Sequence, residues 1–271
     1  VDPNRPYTLL DDRLWFVDTG ASRTTCDDDL VAALGVRVRR TAVRSHGEVG
    51  SVPLGRAVLH DVTIGGWTFR RLPCAVRDLP TTSSLKDDPG DPVVGILGAN
   101  VLRHFAAEFA FAEGELRLRR EAEGDGSEGS GVDASIRLRR ERGVGPRLVA
   151  PLVVDGARVD VVIDTGADRT YLPLTTGEEL LRYAGRRHGT GPGGGTPIEV
   201  VIRGVTEATL GREPVALYRY VFRRGRPGLL GMDVLAMRRL VVDGPRKRLR
   251  WDAGAAPVFR RPAEARKAAQ D

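Results

Sequence analysis

The sequence predicts an all-β fold, mainly strands with short helices, in which two halves repeat one architecture. Three observations carry this prediction. The tetrapeptide Asp-Thr-Gly-Ala occurs twice, as Asp18-Thr19-Gly20-Ala21 and as Asp164-Thr165-Gly166-Ala167. Each copy follows an apolar run, Leu14-Trp15-Phe16-Val17 in the first case and Val161-Val162-Ile163 in the second. Each is followed by two apolar residues, a glycine and a short apolar stretch: Ile96-Leu97-Gly98-Ala99-Asn100-Val101-Leu102, then Leu229-Leu230-Gly231-Met232-Asp233-Val234-Leu235. Gly98 follows Asp18 by 80 residues, and Gly231 follows Asp164 by 67. The same parts in the same order mark an internal duplication, which supplies two equivalent carboxylates.

The elements follow in order. Residues 7–10 and 13–17 read as strands around Asp11-Asp12. Residues 147–154 and 157–163 are their counterparts around Asp155-Gly156, a strong hairpin signal. After each Asp-Thr-Gly-Ala comes a short helical segment ending at a glycine: residues 27–34 before Gly35, and 176–184 before Gly185. A glycine-bearing segment comes next, residues 45–55 in the first half and 188–196 in the second. Strands over 57–64 and 67–76 join at Gly65-Gly66. Each apolar-apolar-Gly element leads into a short helix, near 100–105 or 233–238. Charged hairpins over 107–119 and 240–251 close the halves. Between the halves, residues 121–134 are rich in Gly, Ser and acidic side chains and keep no apolar period, which reads as a flexible linker. The expected organisation is therefore residues 1–120, linker 121–134, residues 135–253, and a tail over 254–271.

Composition narrows the functional classes. The chain has 271 residues, 41% of them hydrophobic, enough for a core in each half. No apolar run approaches the ~20 residues that cross a bilayer. No signal-peptide pattern shows over residues 1–10, and the sequence leaves the compartment open. Cys26 and Cys74 exclude a disulfide scaffold; two partly buried free thiols are the expectation, with one bridge as the alternative. The histidines (His46, His60, His104, His188) are scattered, so no metal site is expected. The net charge of +6 is almost all arginine and is dispersed, which reads as a solvated surface. Arg224-Gly225-Arg226-Pro227 and Pro245-Arg246-Lys247-Arg248 read as arginine-rich turns, and no nucleic-acid partner is expected.

Asp-Thr-Gly-Ala twice and apolar-apolar-Gly twice, in that order over nearly all of both halves, resemble the aspartic peptidase clan. That clan includes the pepsin-like enzymes and the retroviral (retropepsin) proteases. The chain resembles two retropepsin-like β-barrel lobes fused in one polypeptide, a bilobal acid-protease fold. The resemblance implies an aspartic endopeptidase acting on a peptide or protein substrate, as a monomer with an internal pseudo-dimer. It implies no cofactor. Asp18 and Asp164 would be the catalytic pair, sharing one proton because two adjacent carboxylates cannot both ionise cheaply. The ionised member would activate a water and the protonated member would stabilise the oxyanion. Thr19 and Thr165 would bond across the interface, while Gly20 and Gly166 let the backbone approach the carboxylates.

Ser22 and Asp168, just after the loops, are candidates for binding the substrate backbone, beside Ala21 and Ala167. Two candidate flaps, around His46 and Gly47 and around Gly189 and Gly191, would open and close over the substrate. Residues 81–92 form an insertion that would overhang one end of the cleft. Pepsin-like enzymes usually carry Ser or Thr where this chain has Ala21 and Ala167. Without that hydroxyl the ionised dyad loses a hydrogen bond, so a mildly acidic optimum is expected. The competing reading is a catalytically silent peptide-binding or adaptor protein on the same fold.

Overall fold

The computed structural model describes residues 7–10, 13–47, 50–64, 66–79, 93–111, 115–120, 132–141, 145–167, 169–173, 185–188, 198–201, 206–211, 213–217, 220–223, 228–236 and 239–251. Strands dominate and the helices are short. The first half contains β1 (Tyr7–Leu10), β2 (Arg13–Val17), β3 (Thr25–Cys26), α1 (Asp28–Ala33), β4 (Arg39–Gly47) and β5 (Gly50–Leu59). It continues with β6 (Val62–Ile64), β7 (Trp67–Phe69), β8 (Leu72–Val76), β9 (Gly95–Leu97), α2 (Ala99–Leu102), β10 (Ala106–Ala110) and β11 (Glu115–Arg119). The second half contains β12 (Val132–Ser135), β13 (Arg137–Glu141), β14 (Gly145–Val154), β15 (Ala157–Ile163), β16 (Thr170–Pro173), β17 (Gly185–His188) and β18 (Ile198–Val201). Then come β19 (Thr206–Leu210), β20 (Glu213–Leu217), β21 (Tyr220–Arg223), β22 (Gly228–Leu230), α3 (Met232–Leu235), β23 (Leu240–Asp243) and β24 (Arg248–Trp251).

Duplication in the sequence becomes duplication in strand order. The first sheet runs β1-β2-β9-β3-β8-β5-β4, and the second contains β14-β15-β22-β16-β21-β18-β17, position for position the same. In each, the strand before Asp-Thr-Gly-Ala lies parallel to the apolar-apolar-Gly strand: Val17 opposite Leu97, and Ile163 opposite Leu230. These four residues are fully buried. A buried side chain of this size contributes about 1.5–3 kcal/mol. The buried strands thus fix where each aspartate emerges.

Local chemistry explains the turns. Asp155 and Gly156 both take positive φ, 48° and 78°, as a two-residue hairpin turn between right-twisted strands requires. Asp27 caps α1, its Oδ1 accepting from the Asp29 N–H at 3.0 Å. The strand expected over 57–64 breaks after Leu59, where Asp61 turns the chain at φ 52°, so that β6 pairs with β7 in a separate hairpin. The strand expected over 67–76 divides likewise into β7 and β8. The helix expected over 176–184 lies outside the described residues, as do the insertion at 81–92 and the tail from 254.

Two expectations are corrected. Residues 132–134, placed in the linker, belong to β12, which pairs with β24 through Val132 opposite Trp251 and Ser135 opposite Arg248. The alternation Val132-Asp133-Ala134-Ser135 suits a strand once a partner edge is available. Cys26 and Cys74 are not free thiols: they form a disulfide, with Cα atoms 5.9 Å apart. The parallel pairing of β3 with β8 sets Thr25 opposite Ala75 and so brings the cysteines together.

The closing hairpins do not stay apart. They merge into a sheet ordered β11-β10-β23-β24-β12, in which β10 of the first half pairs antiparallel with β23 of the second. Its inner face presents Ala107, Phe109, Leu240, Val242 and Leu249, all fully or almost fully buried. On the other face the nearly buried Glu108 receives Arg117 at 2.9 Å, and Arg119 and Arg239 at 3.5 Å. Arg239 comes from the second half, so this cluster also joins the halves. No helix among the described residues is long and apolar enough to cross a membrane.

Candidate active site

Each aspartate sits at the end of a buried strand and is tied to the neighbouring strand by its own backbone. The Asp18 N–H donates to the Leu97 carbonyl and the Asp164 N–H to the Leu230 carbonyl, both at 3.0 Å. One step further, Ala99 N–H donates to Ala21 O at 2.7 Å and Met232 N–H to Ala167 O at 2.8 Å. The two loops therefore have the same scaffold, and they meet face to face.

The threonines make the junction. Thr19 N–H donates to Thr165 Oγ1 at 3.0 Å and Thr165 N–H donates to Thr19 Oγ1 at 3.1 Å. Each hydroxyl then donates onward across the junction, Thr19 to Ile163 O and Thr165 to Val17 O, both at 2.7 Å. Both threonines are fully buried. Every polar group in this lattice is paired, which is what makes burial of two hydroxyls affordable.

Gly20 and Gly166 bring backbone against carboxylate. A Cβ at Gly20 would collide with the Asp164 carboxyl, and one at Gly166 with the Asp18 carboxyl. Each glycine thus packs on the aspartate of the other half. Behind the loops, Gly98 and Gly231 leave no room for a Cβ against the backbone of Arg23 and Arg169.

The two carboxyls share a side-chain hydrogen bond but have different surroundings. Asp18 Oδ1 accepts from the N–H groups of Gly20 at 2.8 Å and Ala21 at 2.9 Å. Asp164 Oδ1 accepts from Gly166 N–H at 2.9 Å, while Ala167 N–H turns to the Asp164 backbone carbonyl at 3.3 Å. Burial pushes the Asp18 carboxyl up, and hydrogen bonds from Ala21, Asp164 and Gly20 oppose that push. Burial pushes Asp164 well above the ordinary carboxylate value, and the Asp18 charge adds to it. Both carboxyls are thus pushed toward holding a proton in common, and the second backbone N–H on Asp18 favours its ionised form.

Arg147 is a site residue that the sequence motifs did not mark. Its positive charge lowers both carboxyls. It lies on β14, and extending the β14–β15 register two residues beyond Val149–Val162 sets it opposite Asp164. The supports behind the loops were also missed. Asn100 Oδ1 accepts from Thr24 N–H at 2.6 Å and Thr24 Oγ1 at 3.0 Å. Asp233 does the same for Thr170, at 3.0 and 2.7 Å. Aligning the halves could have found these pairs. Thr24 and Thr170 each follow their aspartate by six residues, and Asn100 and Asp233 each follow their glycine by two.

The remaining candidates are dispersed. Ala21 and Ala167 line the loops as described. Ser22 stands at the junction of the halves, its Oγ 3.1 Å from where a Cβ at Gly145 would lie. His46 and Gly47 end β4 at the tip of the β4–β5 hairpin, with Gly47 opposite Gly50. Asp168, Gly189 and Gly191 lie outside the described residues. Among the described residues, Asp27, Asp28 and Asp78 bring carboxylate oxygens within 4.8 Å of one another. Asp27 already accepts from the N–H groups of Asp29 and Leu79, and nothing further points to an ion there.

Comparison with known proteins bears on the first of these loops. Residues 12–101, which include Asp18 and Gly98, match the family model described as aspartyl protease. Among solved structures the chain is similar to the retroviral protease-like domain of Ddi1 from Leishmania major. That similarity has 20% identity and a TM-score of 0.34, and it covers 43% of this chain and 96% of that one. No curated protein matches the chain. The family match places an aspartyl protease domain over residues 12–101, a span that holds Asp18, Gly98 and the strands that position them.

Proposed function

We propose that this chain is an aspartic endopeptidase in which Asp18 and Asp164, one from each lobe of a bilobal monomer, activate a water against a peptide bond. The observation that carries the reading is the unequal carboxyl pair held by reciprocal threonine bonds. In the first step the Asp18 carboxylate takes a proton from the water as its oxygen attacks the scissile carbonyl carbon. Asp164 gives its proton to the carbonyl oxygen, and a neutral tetrahedral diol results. In the second step Asp18 passes its proton to the amide nitrogen and the C–N bond breaks. Asp164 recovers a proton from a diol hydroxyl as the new carboxyl group forms. Each aspartate ends as it began, and no covalent intermediate arises.

The rest of the site supports this chemistry. The extended hairpin β4–β5 suits a cover for the cleft, and an extended peptide would be held by its backbone. Ala21 and Ala167 place no hydroxyl beside the dyad, so a mildly acidic optimum follows. Incubating the folded protein with a diverse peptide library from about pH 3 to 7, with product termini mapped by mass spectrometry, tests the reading. New internal termini with a maximum between about pH 4 and 6 are expected. Folded protein that cleaves nothing across that range would instead favour a silent peptide-binding module.

A further inference from the structure

A cavity of about 370 Å³ lies in the first half between the exit of the Asp18 loop and the stem of the β4–β5 hairpin. Val43, Leu54, Val58 and Pro73 form its apolar wall, and Arg23 and Arg56 supply charge. Among the described residues that line it, none is a carboxylate and none is aromatic. Of its other polar groups, Thr41 Oγ1 donates to Leu54 O at 2.7 Å, and Asn100 Oδ1 accepts from Thr24.

The positive charge here is concentrated rather than balanced. The β4–β5 register sets Arg39 directly opposite Arg56, and both are exposed. Like charges facing each other weaken a sheet. Among the described residues no carboxylate pairs with Arg23, Arg39 or Arg56. Such a local conflict, beside an apolar cavity and next to a candidate catalytic loop, is expected where a ligand brings the opposite charge.

We propose that this cavity is a substrate subsite for an acidic side chain, with the methylene stem against Val43, Leu54, Val58 and Pro73 and the carboxylate between Arg23 and Arg56. The inference rests on the peptidase reading and specifies its substrate class: peptides carrying Glu or Asp on the side that extends over the first half. A carboxylate suits the paired donors of a guanidinium. A nucleic acid would call for an aromatic stacking surface, and no described residue lining this cavity is aromatic.

The test uses peptides with Glu or Gln at each position around the scissile bond, against the parent protein, Arg23→Gln and Arg56→Gln. At one position Glu is expected to raise kcat/KM by about tenfold over Gln, the scale of two partly exposed charge pairs. Each arginine variant should lose most of that preference, cleave the Gln peptides within about twofold of the parent rate, and keep the parent Tm. Fluorescence-polarisation binding of the same peptides to Asp164→Asn protein reads the subsite without hydrolysis. Arginine-dependent Glu preference in binding, with no hydrolysis by the parent, would sink the peptidase reading and leave the subsite standing. Equal handling of Glu and Gln in both assays, or a Glu preference that survives in both arginine variants, would overturn the subsite.

Discussion

Replacing Thr165 with Val tests the junction that brings the two aspartates together. The variant keeps the side-chain shape and removes one hydroxyl. That hydroxyl accepts from Thr19 N–H at 3.0 Å and donates to Val17 O at 2.7 Å. Thr19 and Val17 are both fully buried, so both backbone groups would lose their partner away from water. An unsatisfied buried group costs about 1–3 kcal/mol, which gives about 2–6 kcal/mol for the pair. Urea denaturation followed by intrinsic fluorescence reads the loss as a lower midpoint with an unchanged slope. Thr165→Ser restores the hydroxyl at the expense of one methyl and should recover all but about 1 kcal/mol. Since Thr19 serves a different pair of groups, Thr165 N–H and Ile163 O, Thr19→Val should add to the loss. A loss below about 1 kcal/mol for Thr165→Val, or no rescue by Ser, would refute the argument that these hydroxyls hold the halves together.

Three further outcomes follow from named contacts. Arg147→Gln removes a charge that lowers both carboxyls, so both limbs of the pH–kcat/KM profile should move to higher pH; fixed or acid-shifted limbs would contradict the electrostatic role. Asp164 is held above its unfolded value of 3.8, so the native state binds more protons and the parent loses stability as pH rises above that value. Asp164→Asn removes that loss, so in urea titrations it should gain on the parent between about pH 3.5 and 7, and an unchanged difference would refute the assignment. Opening the Cys26–Cys74 bridge, which spans 48 residues, should cost about 4 kcal/mol by loop entropy, read as a urea midpoint lowered by dithiothreitol in the parent and unaffected in Cys26→Ala/Cys74→Ala.

What was legible in the sequence was local or repeated. Asp155-Gly156 announced its hairpin because few residue pairs tolerate two positive φ values in succession. The two Asp-Thr-Gly-Ala segments and the two apolar-apolar-Gly segments announced a duplicated architecture, because each half repeats the same order, while their parallel pairing is seen only in the structure. Less was legible wherever a partner lies far along the chain. Nothing in residues 106–110 says that they pair with 240–243, since alternation fixes a strand's faces but not its neighbour. For the same reason β12 was read as linker and the cysteines as thiols: the β24 edge and the β3–β8 pairing become visible only in three dimensions. Arg147 escaped notice because it belongs to no motif and reaches the dyad only through strand register.

The most direct test of the central claim is peptide hydrolysis by the parent, Asp18→Asn and Asp164→Asn proteins, each shown to be folded, at the parent's optimal pH. The account predicts cleavage by the parent and a loss of at least about a thousandfold in kcat for either variant, since each aspartate has its own part in both steps. Activity within about tenfold of the parent in either variant would place the catalyst elsewhere and contradict the account.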